Sequence, residues 1–161
     1  MSNNSSLNEM SYEILKKLDL LGLTLGTAES CTGGLISKYL TMHPGSSKVF
    51  QIGLVTYSNN SKIKFLNIEK QFLDNFGAVS KEVVLLMVKN LLTNANVDVG
   101  IAVSGIAGPS GGSKNKPVGL VHHAIAIKNK TFHYQKKYLG NRSEIRLLAT
   151  KKCFQLLLNN I

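Results

Sequence analysis

Residues 24 to 40 read TLGTAESCTGGLISKYL, and within them four reactive or polar side chains follow one another, Glu29, Ser30, Cys31 and Thr32, ahead of two glycines, Gly33 and Gly34. Ser30, Cys31 and Thr32 are the candidates for covalent chemistry. A hydroxyl attacks usefully only when a base takes its proton, whereas a thiol at a helix start can have its pKa lowered or can simply be a small buried side chain. Histidine is the usual base, and the chain has four: His43, His122, His123 and His133. His122 and His123 are neighbours in a strand-like stretch and point to opposite faces, so they cannot both serve one site, and His43 belongs to a loop. A histidine triad, or a metal site built from these four, is disfavoured against plain surface and core roles. Lysine is the other available base. The stretch VTYSNNSK puts Tyr57 at the end of a strand and Lys62 five residues on. An ordinary lysine, with a pKa near ~10.4, would have to fall to about 7 to act as a poised base, a cost of about 4 kcal/mol that burial and a phenol partner could supply. Spacing alone leaves Lys62 a solvated helix residue.

A second loop has the same character. SGIAGPSGG, residues 104 to 112, follows an apolar strand-like run and contains Ser104, Gly105, Ala107 and Gly108. Glycines let a backbone approach a ligand closely, and free N–H groups at a helix start favour an anion or a developing oxyanion. Two tight turns would explain the same glycines. Neither loop has the spacing of a dinucleotide or P-loop fingerprint, which argues against nucleoside-triphosphate hydrolysis.

The elements that must position these loops are legible from periodicity. Residues 7 to 21 place Leu7, Met10, Ile14, Leu15 and Leu18 at helical spacing, and Gly22 ends the run. LTLGTA reads as a buried strand, Thr32 to Leu40 as a helix starting at the glycines, and KVFQIGLVTYS as a second strand. Helices are predicted over about 59–66, about 69–76 and from Ser80, an N-cap without the reciprocal capping box because Val83 is the third helical residue. VDVGIAVSG is a buried strand. VGLVHHAIAIKN and KTFHYQKKYL form a hairpin around residues 128–130, and a last helix from Arg142 turns Ile145, Leu148, Ala149 and Phe154 to the core. Strands alternating with helices and closed by a hairpin predict a three-layer α/β/α sandwich with a mixed, mostly parallel sheet. Ligands in such sheets sit outside the carboxyl ends of the strands, where both loops lie.

A length of 161 residues, 43% hydrophobic and 17% charged, is that of one core-forming domain, set at 7–161 behind a flexible stretch of residues 1–6. No apolar run approaches a membrane span, and the polar start is not a secretory signal. Cys31 and Cys153 show no metal-ligand spacing and suit a reducing compartment, so the expected location is the cytoplasm. The net charge of +10 comes mostly from scattered lysines, with only Arg142 and Arg146 as arginines. Without a clustered stripe and interleaved aromatics, a nucleic-acid partner rests on charge alone, while an anionic small molecule would still be attracted.

TAESCTGGLIS, GLVTYSNNSKIKFLNI, FGAVS, SGIAGPSGG, KPVGLV and LGNRSEIR occur in this order, and together they resemble the CinA C-terminal domain family over about residues 8 to 158. The single-domain members of that family are nicotinamide-nucleotide amidohydrolases. The resemblance implies hydrolysis of the carboxamide of nicotinamide mononucleotide to nicotinate mononucleotide and ammonia, with no metal or organic cofactor. It implies Ser30 as nucleophile with Lys62 and Tyr57 as its partners. Glu29, Cys31, Thr32, Gly33, Gly34, Ser104, Gly105, Ala107, Gly108 and Arg142 are expected around the substrate, with Glu29 orienting its loop and Arg142 and the second loop at the phosphate. Backbone N–H groups of Cys31 to Gly34 are the expected oxyanion donors. A homodimer or higher homo-oligomer is implied as well. The alternative within the family is a nucleotide-binding or regulatory module without turnover.

Overall fold

The computed structural model describes residues 2 to 161, with the backbone alone for residues 2 to 5. Along the chain come α1 (Ser2–Leu20), β1 (Leu25–Glu29), α2 (Leu35–Thr41), β2 (Phe50–Val55), α3 (Asn59–Leu66), α4 (Lys70–Phe76), α5 (Lys81–Ala95), β3 (Val99–Gly105), β4 (Leu120–Ile127), β5 (Lys130–Lys137) and α6 (Arg142–Leu158). The strands form one sheet in the order β2-β1-β3-β4-β5. β1 pairs parallel with both β2 and β3, and the β4–β5 hairpin continues the sheet antiparallel. The sheet is therefore mixed, and β4 alone runs against the other four strands.

Helices cover both faces. α1, α2 and α6 bury Leu7, Ile14, Leu18, Ile36, Leu40 and Phe154 against Leu25, Ile101 and Val103 on one side. On the other, α5 places Val83, Val84, Met87, Val88 and Leu91 on one stripe against Ala28 and Ala102, with Leu66 of α3 and Leu73 of α4. Each fully buried side chain of this size contributes about 1.5–3 kcal/mol of transfer free energy. The close fit of α5 on the sheet depends on Gly100, where an added Cβ would stand 2.9 Å from Val88 and collide with Leu92. β1 is buried at all five positions, as a central strand covered on both faces must be.

Two boundaries depart from the pattern-based reading. α1 begins at Ser2, well before the apolar periodicity. α2 begins at Leu35, because Gly33 (φ 59°) and Gly34 (φ 93°) adopt left-handed backbone that cannot belong to a right-handed helix. Leu148 faces the core as read, half-buried and packed against it. The 59–66 helix and the Ser80 N-cap stand as read, with the Ser80 hydroxyl accepting from the Val83 N–H at 3.2 Å.

Candidate active site

Strand alternation decides where the first loop sends its groups. On β1, Leu25 packs toward the α1/α6 side and Ala28 toward α5, so the next two side chains also part company. Glu29 turns toward α2 and Ser30 toward α3.

Glu29 is fully buried and holds the loop together. Its Oε2 accepts from the Thr32 hydroxyl (2.7 Å) and the N–H groups of Gly34 (2.9 Å) and Ile36 (3.2 Å). Its Oε1 accepts from the Ser37 N–H (2.8 Å) and hydroxyl (2.7 Å). These amides belong to the turn and to the first turn of α2, which have no intrahelical acceptor of their own. Glu29 thus caps α2 from the end of β1, with both carboxylate oxygens engaged by the loop and helix.

Ser30 meets Lys62. The Nζ of Lys62 lies 3.1 Å from Ser30 Oγ and donates to the Thr56 carbonyl at 2.6 Å. Lys62 is fully buried, because α3 starts tightly at Ser58, whose capping box with Ser61 sets the helix so that Lys62 and Leu66 face inward. The solvated reading of Lys62 therefore gives way to a buried amine. Burial pushes its pKa from the ordinary 10.5 down to about 8, and only the neighbouring Cys31 acts the other way. The phenol of Tyr57 plays no part in that shift. Its hydroxyl, on a side chain 58% exposed, accepts instead from Arg142 Nη2 at 2.8 Å.

Arg142, the first residue of α6, also donates through Nη1 to the Gly108 carbonyl at 3.0 Å. Glu144, two residues on, is occupied in a capping box with Asn141. Arg142 therefore joins the end of β2 to the second glycine loop across the mouth of a cavity of about 170 Å³. Ser30, Cys31, Tyr57, Lys62, Ser104, Gly105, Ala107 and Arg142 line that cavity, together with Ala78 and Val79 from the α4–α5 connection. Ser104, at the end of β3, donates its hydroxyl to the Ala78 carbonyl at 2.7 Å.

Several expected site residues sit behind this surface. Thr32 and Glu29 are fully buried in the loop, and Gly33, Gly34 and Gly108 are absent from the cavity wall. The N–H of Gly33 is used on the Ser30 carbonyl at 3.1 Å and that of Gly34 on Glu29, so neither can serve an oxyanion. Cys31 and Thr32 remain as donor candidates. The Cys31 thiol is pushed up to about 12, chiefly by burial, and is neutral at physiological pH. The histidines are all elsewhere. His43 bonds the Ser11 hydroxyl (2.8 Å), His122 pairs with His133 (3.1 Å), and His123 lies between Cys153 and the Tyr138 hydroxyl. Among the described residues no cluster of three or more His, Cys, Asp or Glu could hold a metal, and no helix is long and apolar enough to cross a membrane.

Four contributors escaped sequence reasoning. Ala78 and Val79 line the cavity from within the quoted FGAVS, and nothing in their side-chain chemistry marks them. The Thr56 carbonyl is a backbone group and has no sequence signature, and the buried Thr56 hydroxyl beside it has no hydrogen-bond partner among the described residues. Arg146 does have a signal: it lies four residues after Arg142, on the same face of α6.

A mixed α/β sheet with a buried lysine against a serine at the carboxyl ends of its parallel strands defines the class of this protein. The CinA C-terminal domain model matches residues 7–161, so the chain belongs to the CinA family through that domain. It is 41% identical to the competence/damage inducible protein CihA of Agrobacterium tumefaciens, whose crystal structure superposes with a TM-score of 0.93 over 96% of this chain and 94% of that one. A CinA-superfamily protein of Escherichia coli is similar at 30% identity and TM-score 0.93, over 96% of this chain and 90% of the other. A curated relative from Caldanaerobacter subterraneus subsp. tengcongensis, carrying a competence-damage inducible name, is 47% identical over 92% of this chain. The chain spans 36% of that relative's length and 38% of a similarly named Clostridium botulinum relative that is 43% identical over 99% of this chain.

Proposed function

We propose that the chain is an amidohydrolase that cleaves the carboxamide of nicotinamide mononucleotide, releasing ammonia and nicotinate mononucleotide. The observation that carries this reading is the 3.1 Å approach of a fully buried lysine amine to Ser30. With a pKa near 8, about a tenth of Lys62 is neutral at pH 7, enough to act as a general base. The Thr56 carbonyl holds one N–H and leaves the nitrogen lone pair free to take the Ser30 proton. Ser30 Oγ then bonds to the amide carbon, and the carbonyl oxygen becomes an oxyanion facing the Cys31 and Thr32 N–H groups. The tetrahedral species collapses, the C–N bond breaks, and the ammonium form of Lys62 returns its proton to the departing ammonia. Water, deprotonated by the same amine, then hydrolyses the acyl-serine.

Tyr57 and Arg142 act at the mouth of the cavity in this scheme. Arg142 presents a cation to the phosphate, and its planar fork suits a phosphate oxygen pair. Tyr57 steers the guanidinium through its hydroxyl and flanks the entering ring, as a partner of Ser30 at one remove. A homo-oligomer in the cytoplasm, without metal or organic cofactor, completes the proposal. Ammonia release from nicotinamide mononucleotide by the native chain, lost in Ser30→Ala, is the expected result. Turnover by Ser30→Ala at the native rate would exclude the serine mechanism, and no turnover by the native chain would favour a binding module.

A further inference from the structure

We propose that Arg146, through the Thr32 carbonyl, is a positioning residue that holds the Ser30 turn in its attacking conformation. The proposal rests on Ser30 being the nucleophile, and it does not depend on which amide is the substrate. Arg146 sits one turn into α6 and is absent from the cavity wall. Its Nε and Nη2 both donate to the Thr32 carbonyl oxygen, at 3.2 and 2.6 Å. Among the described residues no carboxylate lies within salt-bridge range of it. A permanently charged fork is thus aimed at one backbone oxygen.

That oxygen belongs to the peptide plane whose N–H is Gly33. The Gly33 N–H closes the turn onto the Ser30 carbonyl at 3.1 Å. Because a peptide is planar, fixing the oxygen on one side fixes the N–H on the other, and with it the turn that starts at Ser30. Gly33 also accommodates the guanidinium directly: a Cβ there would lie 3.1 Å from Arg146 Nη2, and its φ of 59° is one that side-chain-bearing residues seldom adopt. Glu29 grips the same loop from the opposite side through Thr32, Gly34, Ile36 and Ser37. An anion and a cation thus hold successive peptides, and neither touches the reacting atoms.

The test uses a fluorophosphonate that labels activated serines, followed by intact mass. In that reaction Ser30 Oγ bonds to phosphorus, fluoride leaves, and the serine proton passes to Lys62. Arg146→Ala should label about 10- to 100-fold more slowly than the native chain, the effect of losing a charge-assisted bond. Added guanidinium chloride, below denaturing concentration, should restore much of the rate. Arg146→Lys, which keeps the charge but not the fork, should fall between the two and remains informative if the alanine variant fails to fold. With nicotinamide mononucleotide the loss should appear in kcat with KM little changed. Native labelling rates in both variants would overturn the proposal, as would slowed labelling that guanidinium leaves unrestored, because a purely structural arginine would not be replaced by a denaturant in solution. Ser30 labelling that follows this pattern in a chain with no turnover of the nucleotide would leave the proposal standing and remove the substrate assignment.

Discussion

The two glycine-bearing loops at the carboxyl edge of the sheet are built on opposite principles. In the first, from Ser30 to Gly34, a buried carboxylate accepts five hydrogen bonds and an arginine fork holds a carbonyl from the other side. In the second, the base of the loop is held by Ile106 backbone bonds to Leu120 and Gly119 and by Arg142 on the Gly108 carbonyl, but residues 109 to 115 are exposed and tied down only at their far end, by Ser113 to Lys116 and by the Lys116 amine donating to the Phe76 carbonyl. The contrast matches the work asked of each in the proposed reaction. A nucleophile must be held within a fraction of an ångström, whereas a loop that meets the outer part of a ligand gains from being able to adjust.

Substitutions that strike the rigid side should have the largest effects. Lys62→Met keeps the bulk and removes the base, so ammonia release should fall by at least about 10³-fold while the cavity stays shaped, as read by initial rates against thermal melting. Glu29→Ala should act on folding. It strands several buried donors at once, and chemical denaturation should show a loss of about 3–5 kcal/mol, since each unsatisfied buried group costs about 1–3 kcal/mol. Lys116→Ala, on the adaptable side, should change stability by less than about 1 kcal/mol in the same assay, because its exposed bond to Phe76 exchanges readily for water. A Lys116 effect as large as that of Glu29 would erase the distinction between the loops.

The sequence made the framework of this comparison readable. Apolar periodicity located α3, α5 and the hairpin, and the strand-then-glycine pattern put both loops at the ligand edge of the sheet. The resemblance placed Ser30 and Lys62 together, and their spacing alone did not, because nothing in YSNNSK states that Lys62 points inward. Its burial follows from the Ser58 cap, which sets the rotation of α3, and from the path of β2 beside β1. The Thr56 carbonyl and the use of the Gly33 and Gly34 N–H groups are backbone events that side-chain reasoning does not reach. Tyr57 and Arg142 were both singled out, yet their mutual bond joins residues 85 positions apart, a pairing that only the packed fold creates.

The protonation of Lys62 ties stability and activity together. The unfolded chain keeps this proton up to about 10.5, while the native state releases it near 8. Between those values the native state binds fewer protons, so stability gains from this group as pH rises through the window, and below it the buried charge is a standing cost. Activity should follow the neutral amine. The most direct test of the account is the initial rate of ammonia release from nicotinamide mononucleotide across about pH 6 to 10. The account predicts kcat/KM rising about tenfold per pH unit and levelling off near pH 8, with Ser30→Ala silent throughout. A profile flat across that range, or one that falls as the amine loses its proton, would contradict it.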